Sequence, residues 1–133
     1  MDKFIVTGGR KLKGRIHVSG SKNVALKVLV ASCLTDEEVI IENVPLISDF
    51  MVMADIIREL GGKVSIDDHT ARVKVENFKK SKISLDKAAG IRTSAMFLAP
   101  LLVRMGEAKI PNPGGCRIGA RPIDRVIKGI EKM

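Results

Sequence analysis

The 133-residue chain has no tryptophan, no tyrosine and only four phenylalanines. Proteins that hold unpaired nucleic-acid strands stack the bases on aromatic side chains. The near absence of such platforms argues against a nucleic-acid partner. No apolar run approaches the roughly 18 to 20 residues of a membrane span. The opening MDKFIVTGGRKLKG has no apolar stretch after its charges, so no secretory leader is read and a cytoplasmic location is expected. The two cysteines, Cys33 and Cys116, are then expected as reduced thiols. Two scattered histidines, His17 and His69, do not complete a zinc set with them, so no metal and no cofactor are expected.

What is abundant is apolar residues, at 45%, and positive charge, at a net +8. The first is ample for a core in a chain of one-domain size. The second attracts anions such as phosphates, diphosphates and carboxylates, although much of it also reads as ordinary solvated surface.

The pattern is α/β. KFIVTG and GRIHVSG are short glycine-bounded runs read as strands within residues 1–20. SKNVALKVLVASCL reads as an apolar helix capped at Ser21. EEVIIENVP reads as a strand ending in a turn at Asn43–Pro45. SDFMVMADIIRELGG has helical spacing, with Ser48 as cap and Gly61 as stop. KVSIDDHTARVKV reads as a hairpin turning at Asp67–Thr70.

The second half repeats the first. EEVIIENVP aligns with GEAKIPNPG, which places Asn43 on Asn112, and GIRTSAMFLAPLLV then reads as a second apolar helix with Arg92 over Asn23. The last helices align Leu60 with Met133, so the second copy carries four extra residues. Two copies of a βαβαββ-like unit are expected over residues 21–133, one full and one truncated. The extra residues lie in PNPGGCRIGARPID, 111–124, which holds three of the five prolines and three of the twelve glycines. A connector lengthened on a repeated scaffold is where function concentrates.

Within that loop Cys116 sits between Gly115 and Arg117, and Arg117 and Arg121 favour its thiolate. Cys33, on an apolar helix, reads as a core thiol. Arg121–Pro122 opens the last helix, where an arginine beside a helix N-terminus makes an anion clamp. Asp124 in that first turn either complements the dipole or meets a ligand. Lys22 and Asn23 open the first helix. A lysine there opposes the dipole, so it needs another reason to be present, and Arg92 at the matching place in the second copy has the same oddity.

SGSKNVAL together with PNPGGCRIGARPID resembles the UDP-N-acetylglucosamine enolpyruvyl transferases, over nearly the whole chain but only the N-terminal part of such enzymes. The resemblance implies an inside-out α/β barrel of two domains built from βαβαββ units. Residues 1–20 would then belong with the second domain, and the C-terminal part of the enzyme would be missing. It implies transfer of the enolpyruvyl group of phosphoenolpyruvate to the 3-hydroxyl of UDP-N-acetylglucosamine, without a metal, in peptidoglycan synthesis. Cys116 would act on phosphoenolpyruvate and be the target of fosfomycin. Lys22 and Arg121 would bind phosphoenolpyruvate, with Arg92 a further active-site cation and Asn23 near the sugar hydroxyl. Arg121, Pro122, Ile123 and Asp124 would meet the sugar nucleotide. The sequence departs from the family pattern at Ile91, Thr93, Arg125 and Val126. The alternatives are a 5-enolpyruvylshikimate 3-phosphate synthase, against which the glycine–cysteine loop argues, and a non-catalytic anion- or nucleotide-binding remnant.

Overall fold

A computed structural model describes residues 2–112, 114 and 122–132. Its organising element is α2 (Ser48–Glu59), which follows β1 (Glu38–Ile41). Phe50, Met53, Ile56, Ile57 and Leu60 recur at three- and four-residue spacing and are fully buried. Burying each such side chain contributes about 1.5–3 kcal/mol. The stripe lies against α1 (Lys22–Ala31), which buries Ala25, Leu26, Leu29 and Val30.

Beneath the helices is a three-stranded antiparallel sheet in the order β1–β3–β2, from β2 (Lys63–Asp67) and β3 (Thr70–Lys74). β1 and β2 therefore run parallel on either side of β3, a split β–α–β. The register aligns Val39, Val73 and Val64 in one row and Ile41, Ala71 and Ile66 in another, both facing the helices. Glu38, Lys74, Lys63, Arg72 and Ser65 take the other face, as strand alternation requires.

The turns follow the sequence closely. Gly61 ends α2 at φ +106°, with the Gly61 N–H donating to Arg58 O at 3.1 Å and the Gly62 N–H to Ile57 O at 2.9 Å. That pair of bonds is a Schellman ending. The hairpin tip is tied to the β1–α2 connector from both sides. The Val44 N–H donates to His69 O at 2.8 Å, and His69 Nδ1 donates to Val44 O at 2.7 Å. His69 is thus structural.

Four expectations are corrected. KFIVTG and GRIHVSG form no strands, and Phe4, Ile16 and Val18 are exposed. A strand is stable only when a neighbour takes its N–H and C=O groups, and none of the described strands does so. Ser48 does not cap α2; the helix already begins there, with Ile47 in the capping position. GIRTSAMFLAPLLV is not one helix. α3 (Leu85–Gly90) ends at Gly90, a 3-10 segment spans Arg92–Phe97, and α4 (Leu98–Met105) follows. Pro100 is the reason: it offers no N–H to Met96 O and its ring crowds that carbonyl. It is tolerated only in the first turn of α4, and the chain before it tightens instead. α5 (Asp124–Ile130) starts two residues after Pro122 rather than at it.

A parallel bridge joins Lys82 to Lys109 across α3, the 3-10 segment and α4. The α3 entry is anchored to α2, since Ser84 donates N–H and Oγ to the Glu59 carboxylate at 3.1 and 2.9 Å.

Arg104 closes the assembly. From the end of α4 its Nη1 reaches Cys33 O, Thr35 O and Val75 O at 3.2, 3.0 and 2.6 Å, and Nη2 reaches Glu76 O at 2.7 Å. Its guanidinium also lies 5.4 Å from the centre of the Phe78 ring. Arg104→Met keeps the stem and removes every donor, leaving four carbonyls to find new partners. We expect a loss of about 2–4 kcal/mol in urea denaturation, with Arg104→Lys recovering little because it lacks the planar fork.

Cys33 is fully buried and donates its thiol weakly to Leu29 O at 3.7 Å. Burial pushes its pKa from 9.0 up to about 12, against smaller opposing pulls from Ser32 and Arg104. Above pH 9 the unfolded chain sheds a proton that the folded chain retains. This stability is therefore complete below 9 and lost as pH rises toward 12. The stability gap between the chain and Cys33→Ala is expected to narrow over that window, measured by urea denaturation at stepped pH.

Candidate functional site

Gly20 packs so closely on the β1–α2 connector that a Cβ would lie 1.9 Å from Asn43 O. The start of α1 is thereby pinned beside the chain that leads into α2. Lys22, the first residue of α1, meets Asp49, in the first turn of α2, in an ion pair. This answers the oddity of a lysine at a helix start: the carboxylate offsets what the dipole opposes.

Arg92 arrives from the segment that follows α3. It is half-buried at the start of the 3-10 segment. Six residues is long for such a segment, a form that tends to mark functional backbone. Ser94 Oγ donates to Ile91 O at 2.8 Å and Thr93 Oγ to Met53 Sδ at 3.5 Å, fixing the segment to itself and to α2. Two departures from the family pattern lie here: Ile91 is buried and Thr93 contacts Met53, so both belong to the wall's packing.

Between these elements is a cleft of about 590 Å³, well within the range of small-molecule sites. Lys22, Asn23, Asp49, Arg92 and Thr93 supply its polar groups. Leu26, Ile91, Met96 and Leu98 form an apolar wall, and Ile123 and Val126 come from the α5 end. Two cations, an amide and a hydroxyl around an apolar floor suit a phosphate or carboxylate on a compact organic body. Asp49 is the one carboxylate of the described lining, which contains no thiol.

Of the residues singled out from sequence, Lys22, Asn23, Arg92 and Ile123 are brought together here. Pro122 and Asp124 are exposed and not part of the described lining. Cys116 and Arg121 lie outside the described residues. Sequence reasoning missed Asp49, although a signal existed. The sequence marks Asp124 in the first turn of the last helix, and Asp49 stands at the same place in α2.

The approach to the cysteine loop is fixed at Gly114. Its N–H donates to Ala88 O at 3.1 Å, the carbonyl that also receives the Ile91 N–H at 3.4 Å. One oxygen thus ties the chain entering the loop to the chain entering Arg92. A Cβ on Gly114 would sit 1.7 Å from Ala89 O.

The chain is thus a two-layer α/β unit with a cleft lined by two cations where its helices start. The chain belongs to the EPSP synthase (3-phosphoshikimate 1-carboxyvinyltransferase) family, which matches residues 6–133. It is 42% identical over 133 residues to a UDP-N-acetylglucosamine 1-carboxyvinyltransferase of Thermotoga maritima, covering 100% of this chain and 32% of that protein. The protein of that name from Methylacidiphilum infernorum is 44% identical over 133 residues, covering 100% and 31%. Among solved structures, the enolpyruvyl transferase NikO from Streptomyces tendae superposes with a TM-score of 0.67 at 28% identity, over 74% of this chain and 23% of that one. The fold class expected from the motifs, that of the enolpyruvyl transferases, is borne out. The chain spans about a third of the length of the curated relatives it matches. No helix among the described residues is long and apolar enough to cross a membrane.

Gly114→Ala is expected to break the Ala88 bond and displace the approach to the loop, costing about 1–3 kcal/mol in urea denaturation. Gly90→Ala, whose Cβ meets open space, serves as the comparison and is expected to stay within about 0.5 kcal/mol of the parent.

Proposed function

We propose that the chain is the N-terminal part of an enzyme that transfers the enolpyruvyl group of phosphoenolpyruvate to the 3-hydroxyl of UDP-N-acetylglucosamine and releases phosphate. The observation that carries this is the meeting of Lys22, Asn23 and Arg92, about half the chain apart in sequence, in one cleft. Relatives at 42–44% identity across the whole chain bear the matching name, which favours this acceptor over a shikimate phosphate.

In this reading Lys22 and Arg121 hold the phosphate and carboxylate of phosphoenolpyruvate, and Arg92 adds a further cation. Asn23 orients the sugar hydroxyl. Arg121, Pro122, Ile123 and Asp124 meet the sugar nucleotide. The hydroxyl oxygen bonds to C2 of phosphoenolpyruvate and gives its proton to a base of the second domain, while C3 gains a proton. The C2–O–phosphate bond then breaks as C3 loses a proton, restoring the vinyl group. Cations fixed beforehand around the leaving phosphate lower the barrier to that elimination. Cys116 acts on phosphoenolpyruvate as proton donor or nucleophile. Residues 1–20, with their exposed apolar side chains, add strands to a second domain that also completes the site, and residues 21–133 form the repeated units of the first domain. The chain alone is then inactive. The reaction belongs to peptidoglycan synthesis in the cytoplasm.

The test is mass spectrometry after incubation with fosfomycin, with and without UDP-N-acetylglucosamine. An adduct on Cys116 and not on buried Cys33, enhanced by the sugar nucleotide, is expected. No adduct on this chain or on a longer product of the same gene sinks the cysteine assignment.

A further inference from the structure

The pairing of Lys22 with Asp49 has a consequence for ligand binding. We propose that Asp49 is an internal competitor for the anion: its carboxylate holds the Lys22 ammonium over the cleft while the site is empty and surrenders it when an anion enters. The inference rests on the anion-binding half of the function proposed above and not on the transfer reaction.

Both side chains line the cleft with Arg92, and they are 54% and 34% exposed. Gly20 pins the backbone at the start of α1 and the buried stripe of α2 fixes the backbone at Asp49, so the two side chains stay within reach of each other. An entering phosphate dianion therefore meets two positive charges and one negative.

Removing the Asp49 charge has two opposed effects. Lys22 loses an ordering partner, which weakens anion binding. The anion loses a like charge at contact distance from the same ammonium, which strengthens it. Exposed ion pairs contribute little, so the ordering effect is small. Repulsion between two anions sharing one ammonium acts at close range in a cleft screened less than open water, so it is the larger. Asp49 thus lowers affinity for the anion, which suits a site that must release phosphate as a product.

The experiment is titration of inorganic phosphate into the chain at low salt. Asp49→Asn is expected to tighten binding about threefold to tenfold, the upper figure being about 1.4 kcal/mol. Asp49→Ser gives the same answer should the amide disturb folding, and Asp49→Glu should restore the parent affinity. Asp55→Asn is the control. It removes the same charge from the same helix, where Asp55 pairs with Arg58 at 2.6 Å outside the cleft, and is expected to change affinity less than about twofold. Lys22→Gln is expected to weaken phosphate binding more in the Asp49→Asn background than in the parent, where Asp49 already occupies the lysine. Equal or weaker binding by Asp49→Asn, or an equal gain in Asp55→Asn, overturns the proposal. Phosphate binding by none of the folded variants overturns the anion cleft together with it. Phosphate binding as expected, without enolpyruvyl transfer by a longer product of the gene, removes the transferase reading alone.

Discussion

Burial of one helix stripe sets the positions of nearly everything else. Phe50, Met53, Ile56, Ile57 and Leu60 leave α2 no freedom to rotate, so each polar group on that helix is aimed by the packing behind it. Its first turn presents Asp49 to Lys22, its middle holds Thr93 through Met53, its last turn holds Ser84 through Glu59, and its glycine ending launches β2. A site built this way is precise because it borrows rigidity from the core. It is also vulnerable: truncating Phe50 would cost about 3–5 kcal/mol and displace every one of those groups.

The positive charge of the chain is put to two different uses. Arg104 is absorbed by the fold, its donors shared among carbonyls of two separate segments, 33–35 and 75–76. Lys22 and Arg92 face a cleft. Composition treats these residues alike, and only the acceptors nearby separate them. Cys33 makes the same point for thiols. It shares a chemistry with Cys116, yet burial keeps it protonated far above neutral pH and removes it from any reaction there.

This bounds how much was legible in the sequence. Elements whose signal is local were readable: α1, α2, β1 and the β2–β3 hairpin follow from periodicity, and the stop at Gly61 from glycine's access to positive φ. Elements that depend on a distant partner were not. Residues 3–8 and 14–20 alternate like strands, but a strand exists only beside another strand. The helix expected at 90–103 is broken by a proline whose effect falls on the residues before it. Nothing local marks Arg104, because its acceptors at Cys33, Thr35, Val75 and Glu76 are remote in sequence. For the site, the unease of Lys22 at a helix start was visible, whereas its remedy at Asp49 needed the packing of α1 on α2.

The cleft lies where two helical starts meet. Lys22 and Asn23 open α1, and Arg92 opens the 3-10 segment. Packing of α1 against that segment brings the two starts together around shared space. Helix starts carry partial positive charge, and here each also carries a cation, so like charges converge. Asp49 offsets part of that charge through its pair with Lys22. The sign of the charge around the cleft thus follows from the packing of two helical starts, neither of which shows it alone.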